Sequence, residues 1–530
     1  MKRLIIRIKG ILAGALLGGL FVGLPGSAKA QMIMHSFDGD SGPGLAVCQT
    51  GVTHCGFPDM DVAVNGSRVV QVTWQNVRVY DYKGHLLEST PLSTFMRNAG
   101  LNPIPPQHRK PAGPSVPGPF EGHVVYNEFI NRWMISGTGS SDSLMVSATA
   151  DPLGSWGGVN PFCLNGGPCL DFDPAVHLGY DKNGVYYCAT HVGDENPNSI
   201  AGIAYDCLAI SMDEISAISK GTPPAHTNRV HSLPMDVIPA IDHTRDKKPD
   251  APALFASKTC DRSTPGACQN SMNYPFSWTV DTFTWNGSLG VWNKDGEQVV
   301  KTDVGSKQNK WLYSKPCCGP AGVFPQAGSS ISLRAAESHR LTNVFQAGSH
   351  LHGVLGSGPC TAAECGLQGT DKSNVAFWFD LDCSKPSACI VSQTAKISGD
   401  FNPEFATVGV DNAGNVGIVG ISSTANTNLS ILLWTHRTSD KPNTLNGPTT
   451  IIAGTQPYTC EKDKGFASIA NPVGVLTALD PVDGTKLWVS HQWANSAAPC
   501  VWNTRIIGFK VASAPQGDGG QPKSRKGKRQ

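Results

Sequence analysis

Five short turn signals punctuate this chain: Asp81-Tyr-Lys-Gly84, Asp181-Lys-Asn-Gly184, Asn293-Lys-Asp-Gly296, Asp411-Asn-Ala-Gly414 and Asp480-Pro-Val-Asp-Gly484. A leading Asp or Asn bonds its own backbone a few residues on, and Gly supplies the positive φ that ends such a turn. Runs with strand character flank these signals. Residues 69–74 turn and return through 77–80, and 131–136 pairs with 143–148. Residues 185–188 face 202–206, 343–345 face 351–355, and 416–422 face 430–435. The last pair is 486–490 with 505–511, and 276–285 and 375–381 add single strands. One small sheet of this kind exposes two edges and buries too little. Radial repetition solves both problems. The expected fold is therefore all-β, a single β-propeller of six or seven blades over residues 58–511, with disulfide-stapled loops.

The first thirty residues read as an export signal. Lys2, Arg3, Arg7 and Lys9 precede an apolar run over 11–24, and Ala28-Lys-Ala30 forms a small-x-small cleavage site before Gln31. That run has 14 residues and four glycines, short of the roughly 20 that span a bilayer. Residues 31–57 form an N-terminal extension. Residues 512–530 form a basic tail, Lys523, Arg525, Lys526, Lys528 and Arg529, with composition that favours disorder. In the body between leader and tail, Asp and Glu outnumber Lys and Arg, which argues against a nucleic-acid partner. The mature chain is expected to be exported, periplasmic or extracellular, with no transmembrane segment.

All 16 Cys follow the leader, which favours disulfides in an oxidising compartment. Close pairs are Cys48/Cys55, Cys163/Cys169, Cys260/Cys268, Cys360/Cys365 and Cys383/Cys389. Cys188 and Cys207 flank a hairpin, and Cys460 and Cys500 join neighbouring strands near the end. Cys317 and Cys318 are adjacent, forming either a vicinal bridge or two separate ones. No pair has the two-residue spacing of a zinc knuckle.

Three segments resemble a family of secreted bacterial β-propellers of largely unknown function. Asp61-Val-Ala-Val-Asn-Gly-Ser-Arg-Val-Val-Gln71 with Val79-Tyr-Asp-Tyr-Lys-Gly84 is similar to its opening blade. Asn131-Arg-Trp133 with Val146-Ser-Ala-Thr-Ala-Asp-Pro-Leu-Gly-Ser-Trp156 is similar to its second. Leu479-Asp-Pro-Val-Asp483 with Trp502-Asn-Thr-Arg-Ile-Ile-Gly-Phe509 is similar to its closing blade. The Arg-Trp-Gly-Asp stretch expected before that last blade is absent, and Gly465-Phe-Ala-Ser468 stands there. The resemblance implies the fold and leaves the activity open.

Three constellations bear on chemistry. Asp171-Phe-Asp-Pro-Ala-Val-His177 with Tyr180-Asp-Lys-Asn-Gly-Val-Tyr-Tyr187 is similar to a blade of five-bladed glycoside hydrolases. Hydrolysis there needs a protonated acid and a carboxylate base roughly 6.5–9.5 Å apart for inversion, or closer for retention. Asp59, Asp61, Asp173 and Glu404 are the carboxylates for such a funnel, with His177 as a substrate contact; turn and strand-end capping is the alternative. Ala478-Leu-Asp480, Gly484 and Trp488 follow a docking pattern of quinone-dependent propellers, but it occurs once where most blades should carry it. His350 and His352 alternate on a strand and so project from one face, suiting a structural divalent cation. His339 is a further catalytic or ligating candidate, and Arg340 suits a substrate carboxylate or sulfate. Trp133, Trp156, Trp378, Trp488 and Trp502 read as wedges between blades. The function expected is recognition of a glycan or protein at the envelope or outside the cell. The alternative is a polysaccharide hydrolase or lyase with Asp173, Glu404 and His339 in the funnel.

Overall fold

The computed structural model describes residues 32–43, 58–74, 76–101, 122–137, 143–162, 172–192, 203–233, 237–259, 277–300, 323–335, 341–357, 375–386, 388–399, 402–463, 466–469, 477–496, 498 and 500–511. These residues are nearly all β, with two short helices, Leu92–Asn98 and Met212–Ile218. One motif recurs along the chain, an antiparallel meander of four strands. The first meander is Asp61–Val64, Arg68–Val72, Asn76–Asp81 and Leu86–Pro91, and the second is Val124–Asn127, Arg132–Gly137, Ser143–Ser147 and Trp156–Val159. Phe172–Tyr180, Gly184–Val192, Ile203–Ser211 and Asn228–Leu233 follow. Then come Ile238–Pro239, Ala253–Thr259, Ser277–Asn286 and Leu289–Val300. Leu341–Ala347, His350–Ser357, Val375–Asp382 and Ile390–Ile397 form the next meander, and Glu404–Val410, Val416–Thr424, Thr427–His436 and Asn446–Gly454 the one after. The last meander is Thr477–Leu479, Lys486–Trp493 and Val501–Lys510, and its outermost strand is Met32–Pro43 from the other end of the chain. Part of the 31–57 extension is thus a strand of the last sheet.

First strands neighbour first strands. Ile241–Asp242 pairs in parallel with Tyr180 on one side and with Phe345 and Gln346 on the other. Val124 N donates to Asp61 Oδ2 (2.9 Å), and Asn343 Nδ2 donates to the Val408 carbonyl (2.6 Å). Sandwiched between sheets, these strands are buried on both faces: every residue of Asp61–Val64, Val124–Asn127 and Glu404–Val410 is buried. The fourth strands are polar and open, as in Leu86–Pro91 and Asn446–Gly454. Trp133, Trp378 and Trp488 are fully buried and Trp502 nearly so, while Trp156 is only partly covered. Gly409 makes one close approach possible, since a Cβ there would lie 2.4 Å from the Thr477 side chain.

The expected pairings form, with two corrections. Val185 pairs with Ile210 and Cys188 with Cys207, so 185–188 face 207–210 rather than 202–206. Four of the five turn signals make turns. Asp81 Oδ1 accepts from Lys83 N and His85 N, Asp181 Oδ1 from Asn183 N and Gly184 N, and Asp411 Oδ1 from Ala413 N and Asn415 N. Asp480 Oδ1 accepts from Val482 N and Asp483 N. Asn293-Lys-Asp-Gly296 makes no turn. It lies inside the strand Leu289–Val300, where a register shift between Val280 and Thr282 absorbs the extra residues as a bulge.

Because the meanders alternate in direction, their connections fall on two faces. Links from first to second and from third to fourth strand share one face and include 65–67, 82–85, 181–183, 287–288, 348–349, 411–415 and 480–485. Strand ends at the other face are joined by 44–60, 92–123, 160–171, 260–276, 301–340, 358–374 and 455–476, whose course lies largely outside the described residues. Those long connections carry Cys48, Cys55, Cys163, Cys169, Cys260, Cys268, Cys317, Cys318, Cys360, Cys365 and Cys460. Two of them also supply the strands of an extra sheet, Val323–Phe324, Ser332–Ala335, Phe466–Ile469 and Glu461–Asp463. Three of the expected disulfides are formed: Cys188–Cys207, Cys383–Cys389 and Cys460–Cys500. The pairs at 48/55, 163/169, 260/268 and 360/365, with Cys317 and Cys318, lie outside the described residues.

Two measurements test this architecture. Asp40, on Met32–Pro43, is fully buried and accepts from Arg78 (2.5 Å), Thr73 Oγ1 (2.6 Å) and Asn76 Nδ2 (2.9 Å). Asp40→Ala leaves three donors facing an emptied site. The expected loss is about 3 kcal/mol in denaturant unfolding, the low end for a broken buried pair because Arg78 keeps some contact with water. A loss under about 1 kcal/mol would mean the strand is not integral to the sheet. Cys460→Ser with Cys500→Ser opens a loop of sequence separation 40, and chain entropy sets the expected destabilisation at about 4 kcal/mol.

Candidate functional site

Three histidines and two carboxylates sit around the first strands, in two groups. At the face of the long connections, Asp61 opens its strand fully buried. Its Oδ1 accepts from Val62 N (2.7 Å) and its Oδ2 from Val124 N (2.9 Å), so one carboxylate joins two meanders. His123 precedes Val124, with Nδ1 3.5 Å from the same Oδ2. The His177 ring lies 5.8 Å from the His123 ring, and both are buried. Burial raises the Asp61 pKa above its ordinary value, against the opposing pull of His123 and the two backbone N–H groups. Asp59, two residues before the first strand of its meander, and Glu404, which opens another, are also buried. After Glu404, Phe405 takes φ +47° and its carbonyl accepts from His491 Nε2 (3.0 Å).

Of the carboxylates read as funnel candidates, Asp61 is linked through His123 to the predicted substrate contact His177. Sequence reasoning missed His123. The one signal for it is a polar residue directly before the apolar run Val124–Tyr126, and nothing local marks Asp61 as its neighbour across 62 positions. Asp173 lies in the strand Phe172–Tyr180, but its side chain is outside the described residues, as are His339 and Arg340. His350 and His352 share one side of their strand, as expected. His350 Nδ1 is 2.8 Å from Asp380 Oδ1, and His352 Nε2 is 4.0 Å from the same oxygen. His352 stacks on Trp378, the rings 2° from parallel. Among the described residues, no group of three or more His, Cys, Asp or Glu side chains is placed to hold a metal ion.

The second group faces a small cavity on the axis. Val62, Val64, Val124, Val125, Ile241 and Leu479 give the cavity apolar walls, and Tyr180 and His243 supply polar edges. Its volume of about 20 Å³ is room for one water molecule. Among its lining residues there is no carboxylate. Behind the wall, Glu128 Oε1 lies 2.7 Å from His243 Nδ1, and Tyr180 donates to Glu128 Oε2 (3.0 Å) and to the Tyr126 carbonyl (2.7 Å). Burial pushes the Glu128 carboxyl up, but the charge and hydrogen bonds of His243 and Tyr180 outweigh it and hold the pKa below its ordinary value. An ionised Glu128 can only accept, so His243 Nδ1 carries the proton. Glu128 and His243 were not legible either. Each stands just past the end of a first strand, in a position that reads as a turn.

No protein-family model matches the chain, and no curated protein matches it. Among solved structures, the chain is similar to extracellular domains 1–2 of Drosophila Semaphorin 1b, at 9% identity and a TM-score of 0.38, over 91% of this chain and 87% of that one. It is similar to a Dyadobacter fermentans protein of unknown function, at 9% identity and a TM-score of 0.34, over 86% of this chain and 95% of that one. It is also similar to an endo-arabinase from Bacteroides thetaiotaomicron, at 9% identity and a TM-score of 0.30, over 74% of this chain and 93% of that one. Likeness at this level carries no argument about activity or substrate.

The buried histidines make stability depend on pH. Burial drives the pKa of His352 and of His491 down to about 4, from the ordinary 6.5. His491 is held neutral by its partners, since Gln492 N donates to Nδ1 while Nε2 donates to Phe405. Between those two pH values the unfolded chain binds more protons than the folded one. Stability is therefore fully present above pH 6.5 and is lost as pH falls toward 4, by about 3 kcal/mol per histidine. Denaturant melts across that window should show the fall, and His352→Gln should remove roughly half of it.

Proposed function

We propose that the chain is an exported seven-bladed β-propeller that recognises a glycan or a protein at the cell envelope or outside the cell. Seven meanders support a count of seven blades rather than six, and Met32–Pro43, which completes the last one, supports closure of the ring. Cleavage after Ala30 leaves Gln31 one residue ahead of that strand, which suits removal of the leader before closure. Disulfides among the described residues fit an oxidising compartment. No helix among the described residues is long and apolar enough to cross a membrane.

One observation carries the recognition reading: the axial cavity has room for one water and no carboxylate on its wall. Asp61 spends both oxygens on backbone N–H groups, which suits a structural clasp better than an acid or a base. Recognition then belongs to the face of the long, cysteine-rich connections, where chain length allows a surface to be shaped. The hydrolase or lyase reading keeps one point in its favour, the contact of Asp61 with His123, whose ring lies 5.8 Å from that of His177.

A panel of polysaccharides and envelope fractions separates the two. The expected result is retention of the oxidised mature protein on one immobilised fraction, unchanged in Asp61→Asn. Product release that disappears in Asp61→Asn or His123→Gln, with the variants still folded by circular dichroism, would overturn the recognition reading and support a hydrolase.

A further inference from the structure

Lys247 and Lys486 are the buried lysines among the described residues, and their surroundings differ. Lys247 stands on the turn after Ile241–Asp242, where Thr244 N donates to Asp242 Oδ1 (2.9 Å) and Lys247 N to the Thr244 carbonyl (3.4 Å). Its Nζ lies 2.8 Å from Asp181 Oδ2 and 2.9 Å from Asp242 Oδ2. The Lys247 side chain is 4% exposed and both carboxylates are 1% exposed. Asn183 Nδ2 donates to the Lys248 carbonyl (3.1 Å), which holds the two turns against each other. Burial alone would lower the Lys247 pKa, but the two carboxylates outweigh it and raise it, so the resting state is an ion pair. Lys486 is held more loosely, 3.4 Å from Asp480 and 3.7 Å from Asp483, a carboxylate that is 33% exposed.

The two carboxylates around Lys247 are not equivalent. Asp181 Oδ1 accepts from two backbone groups, Asn183 N (2.7 Å) and Gly184 N (3.0 Å), and its Oδ2 accepts from the Tyr186 hydroxyl (2.9 Å). Trp285 Nε1 donates to the same hydroxyl oxygen (2.9 Å), so the phenol proton is directed at Asp181. Burial, with the charge of Asp181, raises the Tyr186 pKa well above its ordinary value and keeps that proton in place. The Trp285 ring also covers the turn, since a Cβ on Gly184 would lie 2.2 Å from it. Asp242 Oδ1 accepts from one backbone group, Thr244 N. Asp181 therefore has what an acyl group needs in order to react: fixed donors on one oxygen, a hydroxyl on the other, an amine in contact, and a second carboxylate to take the amine's proton.

We propose that Lys247 and Asp181 condense within the folded protein to form an amide crosslink. Lys247 first passes one proton to Asp181 Oδ2, which gives a neutral amine beside a neutral carboxyl. Nζ then attacks Cγ of Asp181, the nitrogen–carbon bond forms, and the carbonyl electron pair moves onto Oδ1, where the Asn183 and Gly184 N–H groups hold it. Asp242 takes a second proton from the nitrogen and returns it to Oδ2. The Cγ–Oδ2 bond breaks and one water leaves. Ammonium plus carboxylate thus become amide plus water, and nothing is oxidised or reduced. Fixed contact between the reacting groups makes the step unimolecular, and a neutral amide replaces an ion pair that is costly to keep buried. The crosslink ties the turn after Ile241–Asp242 to the end of Phe172–Tyr180. This goes beyond the recognition reading and does not depend on it.

The intact mass of the mature protein, denatured and with every cysteine reduced, tests the crosslink. The expected mass is lower than the sequence mass by one water, and a proteolytic map should show the segments containing Asp181 and Lys247 as one branched peptide. Lys247→Arg keeps the positive charge but offers a guanidinium that stays charged and does not attack. Asp242→Asn keeps the Lys247–Asp181 pair and removes the group that takes the amine's proton. Both variants are expected at their full sequence mass, with no branched peptide. Full sequence mass in the intact protein would overturn the proposal, whatever the variants do. So would a lost water that maps elsewhere, such as a succinimide at an Asp-Gly bond. Equal crosslinking in Asp242→Asn, or a branch from Lys247 to Asp242, would overturn the roles assigned to the two carboxylates.

Discussion

Buried polar contacts join the first meander to the last, which takes its outermost strand from the N-terminal side of the first. Gln71 of the first meander donates to Ser490 Oγ (2.7 Å) and Thr504 Oγ1 (2.9 Å) of the last, while its Oε1 accepts from Asp40 N (2.8 Å). Thr504 Oγ1 in turn donates to the Asp40 carbonyl (2.8 Å). Two parts of the sequence separated by more than 400 positions thus share one network. Apolar packing alone would fill this seam but would not fix its register, because a strand slipped by one residue turns its other face inward. A buried amide with matched donors and acceptors has one satisfied arrangement, and misregister leaves polar atoms unpaired at a cost of ~1–3 kcal/mol each.

First strands that neighbour one another are buried on both faces and so are mostly apolar, and the small cavity they line is about water-sized. The polar groups kept beside them, Asp61 with His123 and Glu128 with His243 and Tyr180, each join two meanders. They resemble catalytic pairs in composition and act as clasps in geometry.

Strands and turns were legible because their determinants are local. An Asp that bonds the backbone two residues on, or an apolar alternation of five residues, needs no distant partner. The exception at Asn293–Gly296 follows from the same logic: the turn chemistry is present, but a neighbouring strand, Ser277–Asn286, continues to pair past it and takes the extra residues as a bulge. His123, Glu128 and His243 were illegible for the opposite reason. Each owes its environment to a residue on another meander, and Glu128 and His243 are 115 positions apart. The strand Met32–Pro43 was equally hidden, since the segment that completes the last sheet precedes the first one in sequence.

The two faces solve the ordering of their connections in different ways. A turn of three to six residues is ordered by one carboxylate, as Asp411 shows by accepting from Ala413, Asn415 and the Asn415 side chain. A connection of twenty or forty residues has too many free dihedrals for one side chain to fix, and too little apolar content to build its own core. Covalent closure removes much of that freedom before folding. Cys460–Cys500 shows the principle, tying the root of one long connection to the edge of the last meander. The alternation of strand direction thus sends the Asp-anchored turns and the longest connections to opposite strand ends.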